Sequence, residues 1–479
     1  MTPVPGASAV RLPPLPGTIG RIRPRPRWLE FRLLALVGHA LVAGSDSHGA
    51  TDTGTFSLYD TESLAIYIAA LFVAHAAQVL AGRRTDQILL PTVAMLGGLS
   101  LLLMQRLPQD LVTQTFFGTK FGLAEVQLIW LLGALIVATT IGIVVRSDRW
   151  LRRYKYTWAA VGVGLLLLTF VLGTEINGQR LTLQLGPVSG QPSELLKVIL
   201  VVFLAGYLSE NRELLVEQDT RLGPFRLPPL PYLAPMVAMW AIALGIVVIQ
   251  RDLGAALLFF GVFLAMLYVA TARVGLVIIG LVLFLLGSAL MAMLFDHIRT
   301  RVDIWIDPFS DPLGAGFQVV QALHAFARGG LLGVGLGSGL PEIAGRPPIP
   351  EVHTDFPLAA IGEELGILGV VAILGLYLVV IERGLRIGAA AADDFRSLLA
   401  IGLALVIGVQ AFIIAAGNLK VLPLTGVTLP FISYGGSSLL ANALVVGLLL
   451  ALSDKGVEPP PPPRVTSRWR RIGRRRKAT

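Results

Sequence analysis

The chain has 479 residues, 54% of them hydrophobic and 14% charged, with a mean hydropathy of +0.73, which excludes an ordinary soluble domain. It contains no cysteine, so a disulfide framework, a thiolate metal site and a Cys nucleophile are excluded, and its six histidines show no zinc-binding spacing. The net charge of +9 sits in the tails and alternate loops, a pattern that reports membrane orientation and argues against a nucleic-acid partner. The expected fold class is therefore all-α: a polytopic membrane protein of about 12 transmembrane helices.

In chain order, residues 1–28 are rich in Pro and Arg, cannot bury a core and read as a disordered basic cytoplasmic tail. No small-residue cleavage site clearly ends the first apolar run, so a cleaved signal peptide is not expected. Apolar runs of spanning length follow at Leu29–Gly44, Leu64–Gly82, Ile88–Met104, Val126–Val145, Tyr156–Gly173 and Pro192–Leu208. Six more lie at Tyr232–Ile249, Leu253–Thr271, Val274–Phe295, Phe356–Ile381, Leu398–Gly417 and Ser437–Leu452. With both ends placed in the cytoplasm, most of the 39 Lys and Arg fall on the inner side, as the positive-inside rule requires. Residues 454–479 form a proline spacer and a basic patch, RWRRIGRRRK, suited to anionic lipid on that face.

Three segments assigned to the outer side are too polar or too glycine-rich for spans and too patterned for linkers. The first, TEINGQRLTLQLGPVSGQP, alternates from Arg180 to Leu185 and predicts a short extended piece. The second is the loop at 296–356, whose aromatics Trp305, Phe309, Phe317 and Phe326 among glycines argue against disorder. Its glycine run, Gly329 to Gly339, resembles a phosphate cradle in composition but lacks GxxxxGK[ST]; close packing is the competing explanation. The third, NLKVLPLTGVTLPFISYGGSS, reads as a re-entrant or interfacial turn, tolerated only if buried in protein or lining a wet cavity.

The charged positions gather at the same boundary. Asp355, in PEVHTDFPLAAIGEELG, stands where a span begins and is either a helix cap or a functional carboxylate. Glu363 and Glu364 lie two turns inside that apolar run, where a carboxylate must face protein or water. Glu194 and Lys197 share one helix face and are either a structural ion pair or the lining of a site. Asp252 opens another span and has the same two readings, cap or site. Arg180, Lys197, Arg299 and Arg301 supply outward positive charge suited to an anionic head group.

The stretches NGQRLTLQLGPVSGQPSELLK, QRDLGAAL, DPFSDPLGAGFQVVQALHAFARGGLLGVGLGSG, PEVHTDFPLAAIGEELG and LPLTGVTLPFISYGGSSLLAN occur in this order. Together they resemble the SEDS family, the RodA/FtsW/SpoVE proteins of bacteria. The resemblance implies a glycosyltransferase that polymerises lipid II into glycan strands at the outer face of the plasma membrane, with inversion at the anomeric carbon. Its expected partners are lipid II, the growing glycan chain and a class B penicillin-binding protein. It implies that Asp355 takes the place of the essential aspartate, beside His353 in the HTDF motif. Glu194 and Lys197 take the places of the intramembrane acid and base, and Arg180 and Asp252 match further motif positions. Asp355 would be catalytic; Glu194, Lys197, Arg180, Asp252 and His353 would bind substrate.

The resemblance implies a core of about ten spans, 88–453 here, so residues 29–87 look like additional N-terminal helices. Leu181, Arg251 and Ile414 stand where family members commonly have Trp, Pro and Asn. The ending and the extra helices look more like the RodA elongation branch than the FtsW division branch. Displacing a pyrophosphate needs one general base and positive charge, without the second acid of a glycoside hydrolase. Asp355 would be that base, and Arg180, Lys197 or a divalent cation, Mg or Mn, would hold the pyrophosphate. Two other functions use similar residues: a transporter or flippase of a lipid-linked precursor, and a non-catalytic scaffold of a cell-wall complex. A transporter needs charges at the midplane, and here they sit at the outer ends of spans.

Overall fold

The computed structural model describes residues 24–53, 61–116, 118–176, 179–185, 188–217, 220–222, 225–227, 230–250, 252–339 and 348–454. The expected tails therefore lie outside the described residues except at 24–28 and at Asp454. Hydrocarbon offers no water to backbone N–H and C=O groups, so apolar runs of spanning length fold as helices. Each of the twelve expected spans coincides with one. They are α1 (Trp28–Thr53), α2 (Thr61–Leu80), α3 (Leu89–Arg106) and α4 (Leu123–Val144), then, after the short α5 (Arg149–Arg153), α6 (Lys155–Leu172) and α7 (Pro192–Glu217). Next come α8 (Leu230–Ile249), α9 (Leu253–Thr271) and α10 (Val274–Leu294), and after the loop helices α11 (Asp296–Ile306) and α12 (Phe317–Gly329), α13 (Pro357–Ala389), α14 (Asp394–Asn418) and α15 (Gly436–Ser453). Among the described residues, 11 helices are long and apolar enough to cross a membrane. The expected span at Tyr232–Ile249 falls on α8, many of whose side chains lie outside the described residues.

The strands are short antiparallel hairpins between spans: β1 (Gln114–Phe116) with β2 (Thr119–Phe121), a three-stranded β3 (Thr174–Ile176), β4 (Gln179–Leu185) and β5 (Val188–Gly190), and β6 (Thr220–Leu222) with β7 (Phe225–Leu227). The alternation from Arg180 to Leu185 is thus part of a strand, β4, in which Arg180 pairs with Glu175.

At one end of the bundle, ion pairs tie the termini of the spans together. Arg27 bonds the buried Glu30 and reaches Thr85 Oγ1 at 2.7 Å, and His75 Nδ1 lies 2.6 Å from Glu30 Oε1. Arg83 pairs with Asp454 at 2.6 Å, Arg383 with Asp86 at 2.5 Å and Arg212 with Asp394 at 2.7 Å. A buried charge is tolerated when its partner satisfies it, and removing one partner costs about 3–5 kcal/mol. Arg27, 3% exposed, is already part of the folded body.

At the other end, irregular backbone is gathered among further charged side chains. Residues 419–435 turn back into the bundle, with Leu429, Phe431 and Ile432 buried, and Phe431 holds a left-handed φ of 65°. Polar side chains inside the helices meet its carbonyls: Tyr377 Oη donates to Pro430 O at 2.5 Å, Ser100 Oγ to Ile432 O at 2.6 Å, and Gln410 Nε2 to Thr428 O at 2.9 Å. That is the condition under which broken backbone survives at membrane depth.

Helix α13 is broken where its sequence reads Glu363-Glu364-Leu365-Gly366, with Gly366 at φ 66°, ψ −168°. The amides freed by the break find partners in the glycine run: Ile367 N donates to Gly330 O at 3.0 Å and Leu368 N to Leu331 O at 3.3 Å. In return Val334 N and Gly335 N donate to Glu363 O and Glu364 O, each at 3.0 Å. Gly333 has φ +82°, and a Cβ there would stand 2.0 Å from Glu364 O. Close packing against a broken helix accounts for this run of glycines.

Candidate active site

Asp355 lies in the turn that leads into α13. The N-cap of that helix is Phe356, and no side chain caps it, so Asp355 does not serve as a cap. Its N–H donates to Glu351 O at 2.9 Å, closing the turn, and its own backbone oxygen accepts from Asn418 Nδ2 at 2.8 Å, at the end of α14. The carboxylate is partly exposed. Burial, reinforced by the negative charge of Glu351 and opposed by Arg301, pushes its carboxyl up to about 6. Arg301 itself is steadied by donating Nη1 to Leu424 O at 3.1 Å, and Trp305 Nε1 donates to Lys420 O at 3.2 Å. Helix α11 of the long loop is thereby fastened to the turn after α14, next to Asp355.

His353, two residues earlier, is buried, and its ring stands 5.8 Å from that of Tyr434. Its backbone oxygen accepts from Tyr434 N at 2.8 Å. Burial lowers its pKa, against the opposing charge of Glu351, so it is neutral at pH 7. Its Nδ1 has no hydrogen-bond partner among the described residues, a free polar atom at the loop junction.

The second cluster lies on the same end of the bundle. Lys197, 1% exposed, donates Nζ to Glu194 Oε2 at 2.6 Å, Gln410 Oε1 at 2.7 Å and Asn442 Oδ1 at 3.0 Å. Three acceptors use all three of its donors. Glu194 keeps 13% of its side chain accessible. Asp252 is the N-cap of α9: Oδ1 accepts from Ala255 N at 3.0 Å, while Oδ2 accepts from Gln191 Nε2 and Ser193 Oγ, each at 3.3 Å. It is both a cap and the tie between the starts of α7 and α9. Gln191 N in turn donates to Ser437 Oγ at 3.1 Å, adding the start of α15.

Glu363 and Glu364 are buried and held in ion pairs, Glu363 with Arg328 at 2.9 Å and Glu364 with Arg106. They anchor the long loop and α3 to the broken helix. The backbone of Arg180 lies in β4, but its side chain, like Arg251, lies outside the described residues. The structure thus gathers Asp355, His353 and Arg301 at one junction, and Glu194, Lys197 and Asp252 at another on the same side. Sequence reading left Gln410, Asn418 and Asn442 unassigned, and saw Arg301 only as outward charge. Isolated amides inside apolar runs were the available signal for all three. Among the described residues, no group of three or more His, Asp or Glu side chains is placed to hold a metal ion.

A predominantly helical membrane body with irregular loops and a desolvated carboxylate at one end defines a polytopic membrane protein with a polar site among the loops at that end of the bundle. The profile of the FtsW/RodA/SpoVE family, described as "Cell cycle protein", matches residues 63–457. The chain belongs to this family. The peptidoglycan glycosyltransferase RodA of Mycobacterium tuberculosis (strain H37Rv) is 40% identical over 378 residues, covering 78% of this chain and 79% of its own. The RodA of Mycobacterium leprae is 41% identical over 375 residues, with the same coverage. The probable peptidoglycan glycosyltransferase FtsW of Nitrosococcus halophilus is 40% identical over 298 residues, covering 60% of this chain and 72% of its own. A solved structure described as "Structural coordination of polymerization and crosslinking by a peptidoglycan synthase complex" aligns with a TM-score of 0.60 at 28% identity, covering 77% of this chain and 98% of that one. The Thermus thermophilus rod shape determining protein RodA aligns at 0.52 and 25% identity, covering 77% and 97%.

Proposed function

We infer that the chain is a peptidoglycan glycosyltransferase that joins lipid II units into glycan strands, for cell shape or division. The glycosyltransferase names of its relatives support the class of reaction. The observation that carries the residue assignment is Asp355, a carboxyl pushed up to about 6, free of any capping role, with Arg301 acting on it electrostatically. A general base works best with a pKa near the working pH, and this carboxylate is poised to take the proton of an attacking sugar hydroxyl. Attack on the anomeric carbon opposite the departing lipid pyrophosphate gives inversion and needs positive charge at the leaving group. Arg180 is the candidate for that charge, while Arg301 acts on the Asp355 carboxylate from the side of the base. Lys197, its donors already engaged, acts through Glu194. Neutral His353 keeps its Nδ1 buried and without a partner among the described residues, so a sugar hydroxyl or amide meets it only once the turn beside Asp355 opens.

A divalent cation, Mg or Mn, fits the pyrophosphate side only in a substrate-completed form. Glu351 is the carboxylate beside the site that would help hold it, leaving Asp355 free as the base, and it would neutralise phosphate charge. We place the site at the outer face of the bacterial plasma membrane with both termini in the cytoplasm, because the basic loops and tails belong to the opposite end. A class B penicillin-binding protein is the proposed partner, supported by the likeness to a synthase complex that polymerises and crosslinks. The test is glycan polymer formed from lipid II by the purified protein, compared with Asp355→Asn.

A further inference from the structure

Lys197 is five residues into α7, Gln410 eight residues before the end of α14, and Asn442 six residues after the start of α15. At 1.5 Å per residue, all three lie about 8–12 Å below the helix ends that carry the site. Each of the three helices therefore places one polar side chain at the same depth, and all three meet at Nζ. Gln410 and Asn442 are fully buried.

The orientation of both amides is determined by their partners. Lys197 Nζ only donates, so each amide must turn its oxygen toward it. Gln410 Nε2 then points at Thr428 O, 2.9 Å away, an atom that only accepts. Asn442 Nδ2 points at Ser438 Oγ at 3.2 Å, and Ser438 Oγ lies 2.6 Å from Thr428 Oγ1. Through Gln410 the network is thus one-directional, running from the buried ammonium into the 419–435 segment, while the Ser438–Thr428 hydroxyl contact can run either way. That segment also donates Tyr434 N to His353 O, in the turn that carries Asp355.

We propose that Gln410 and Asn442 are positioning residues for the polymerase reaction: they fix the Lys197 ammonium so that the Glu194 carboxylate is held in place and aimed at substrate, and tie that pair to the loop beside Asp355. This rests on the glycosyltransferase reading above. A freely rotating ammonium would follow the Glu194 carboxylate wherever it moved; one with two further acceptors cannot. Glu194, the only member of the trio Lys197, Gln410 and Glu194 with appreciable accessibility, is the atom group through which the network meets substrate. Misplacement of a substrate-contacting group by about 1 Å costs on the order of 100-fold in rate.

The test is steady-state kinetics with lipid II and thermal melting for the full-length Gln410→Met, Asn442→Leu and Lys197→Met proteins and the two doubles with Lys197→Met. The expected result is kcat lowered about 10- to 100-fold in each single variant with KM within about threefold, and doubles no slower than Lys197→Met alone. Losses that multiply in the doubles, both in kcat and as additive shifts in melting, would mean that the amides act independently of Lys197 and would overturn the proposal. So would Gln410→Met turning over at the wild-type rate. Asp355→Asn run alongside separates the two readings: activity surviving there removes the base assignment, whereas the melting cycle still reports whether the amides work through Lys197.

Discussion

Asn418, the last residue of α14, donates Nδ2 to the backbone oxygen of Asp355 across 2.8 Å and so pins the turn that carries the proposed base to the end of a membrane helix. The contact is buried on the Asn side, with Asn418 1% exposed. The carboxylate of Asp355 is consequently aimed by a neighbour that does not touch it.

Replacing Asn418 with Asp keeps the size and removes the donor, leaving an acceptor facing an acceptor. Asn418→Asp is expected to lower kcat by about 10- to 100-fold while lipid II binding stays within a few-fold. Loss of binding with an unchanged kcat, measured in the same polymerisation assay, would show that the contact serves substrate affinity.

The pH profile follows from the direction of the Asp355 shift. Its carboxyl is raised from 3.8 to about 6, so the ionised base accumulates only as pH rises through that value, and the rate should climb to a plateau above it. Glu351→Gln removes a like charge and moves the limb to lower pH; Arg301→Met removes an opposing charge and moves it higher. A profile unmoved by either change would remove Asp355 as the group being titrated.

Exchanging the ion pair, Glu194→Lys with Lys197→Glu, is expected not to restore activity. A carboxylate at 197 would face Gln410 Oε1 and Asn442 Oδ1, and Gln410 cannot turn over because Thr428 O requires its N–H. An uncompensated buried polar mismatch costs about 1–3 kcal/mol, which a melt of the swapped protein should also register. Full recovery of polymerisation in the swap would make the pair purely structural.

Orientation is testable because the chain has no cysteine of its own. Ser310→Cys, in the exposed turn after α11, should react with an impermeant thiol reagent in intact cells, and Ser467→Cys should not. The reverse pattern would move the site to the cytoplasmic face.

The helical spans were legible because each is a long apolar run, and hydrocarbon permits such a run little besides a helix. The re-entrant character of 419–435 was legible for the same reason, from prolines and glycines in a place that had to be protein-lined. What the sequence could not give was partnership across hundreds of residues. Glu363 and Glu364 announced themselves as costly, but nothing local says that Arg328 and Arg106 answer them. Asp355 had the residue type and position of a cap; only the backbone shows the cap at Phe356 and the Asp left for other work. Asp252 went the opposite way, since it is a cap and a tie at once. Gln410 and Asn442 passed unnoticed because one amide in an apolar helix carries meaning only when its partner is known.

The most direct measurement compares wild type with Asp355→Asn for glycan polymer formed from lipid II, beside a thermal melt of both at pH above 7. The raised carboxyl favours the protonated form in the folded state, so its contribution to stability is present at low pH and lost as pH rises through about 6. At neutral pH the neutral amide escapes the cost of a desolvated charge, and the Asn variant should melt at or above wild type. Its polymerisation should fall by about two to four orders of magnitude, because an amide cannot take the proton of the attacking hydroxyl. An Asn variant that melts like wild type and polymerises at a comparable rate would contradict the assignment of Asp355 as the base.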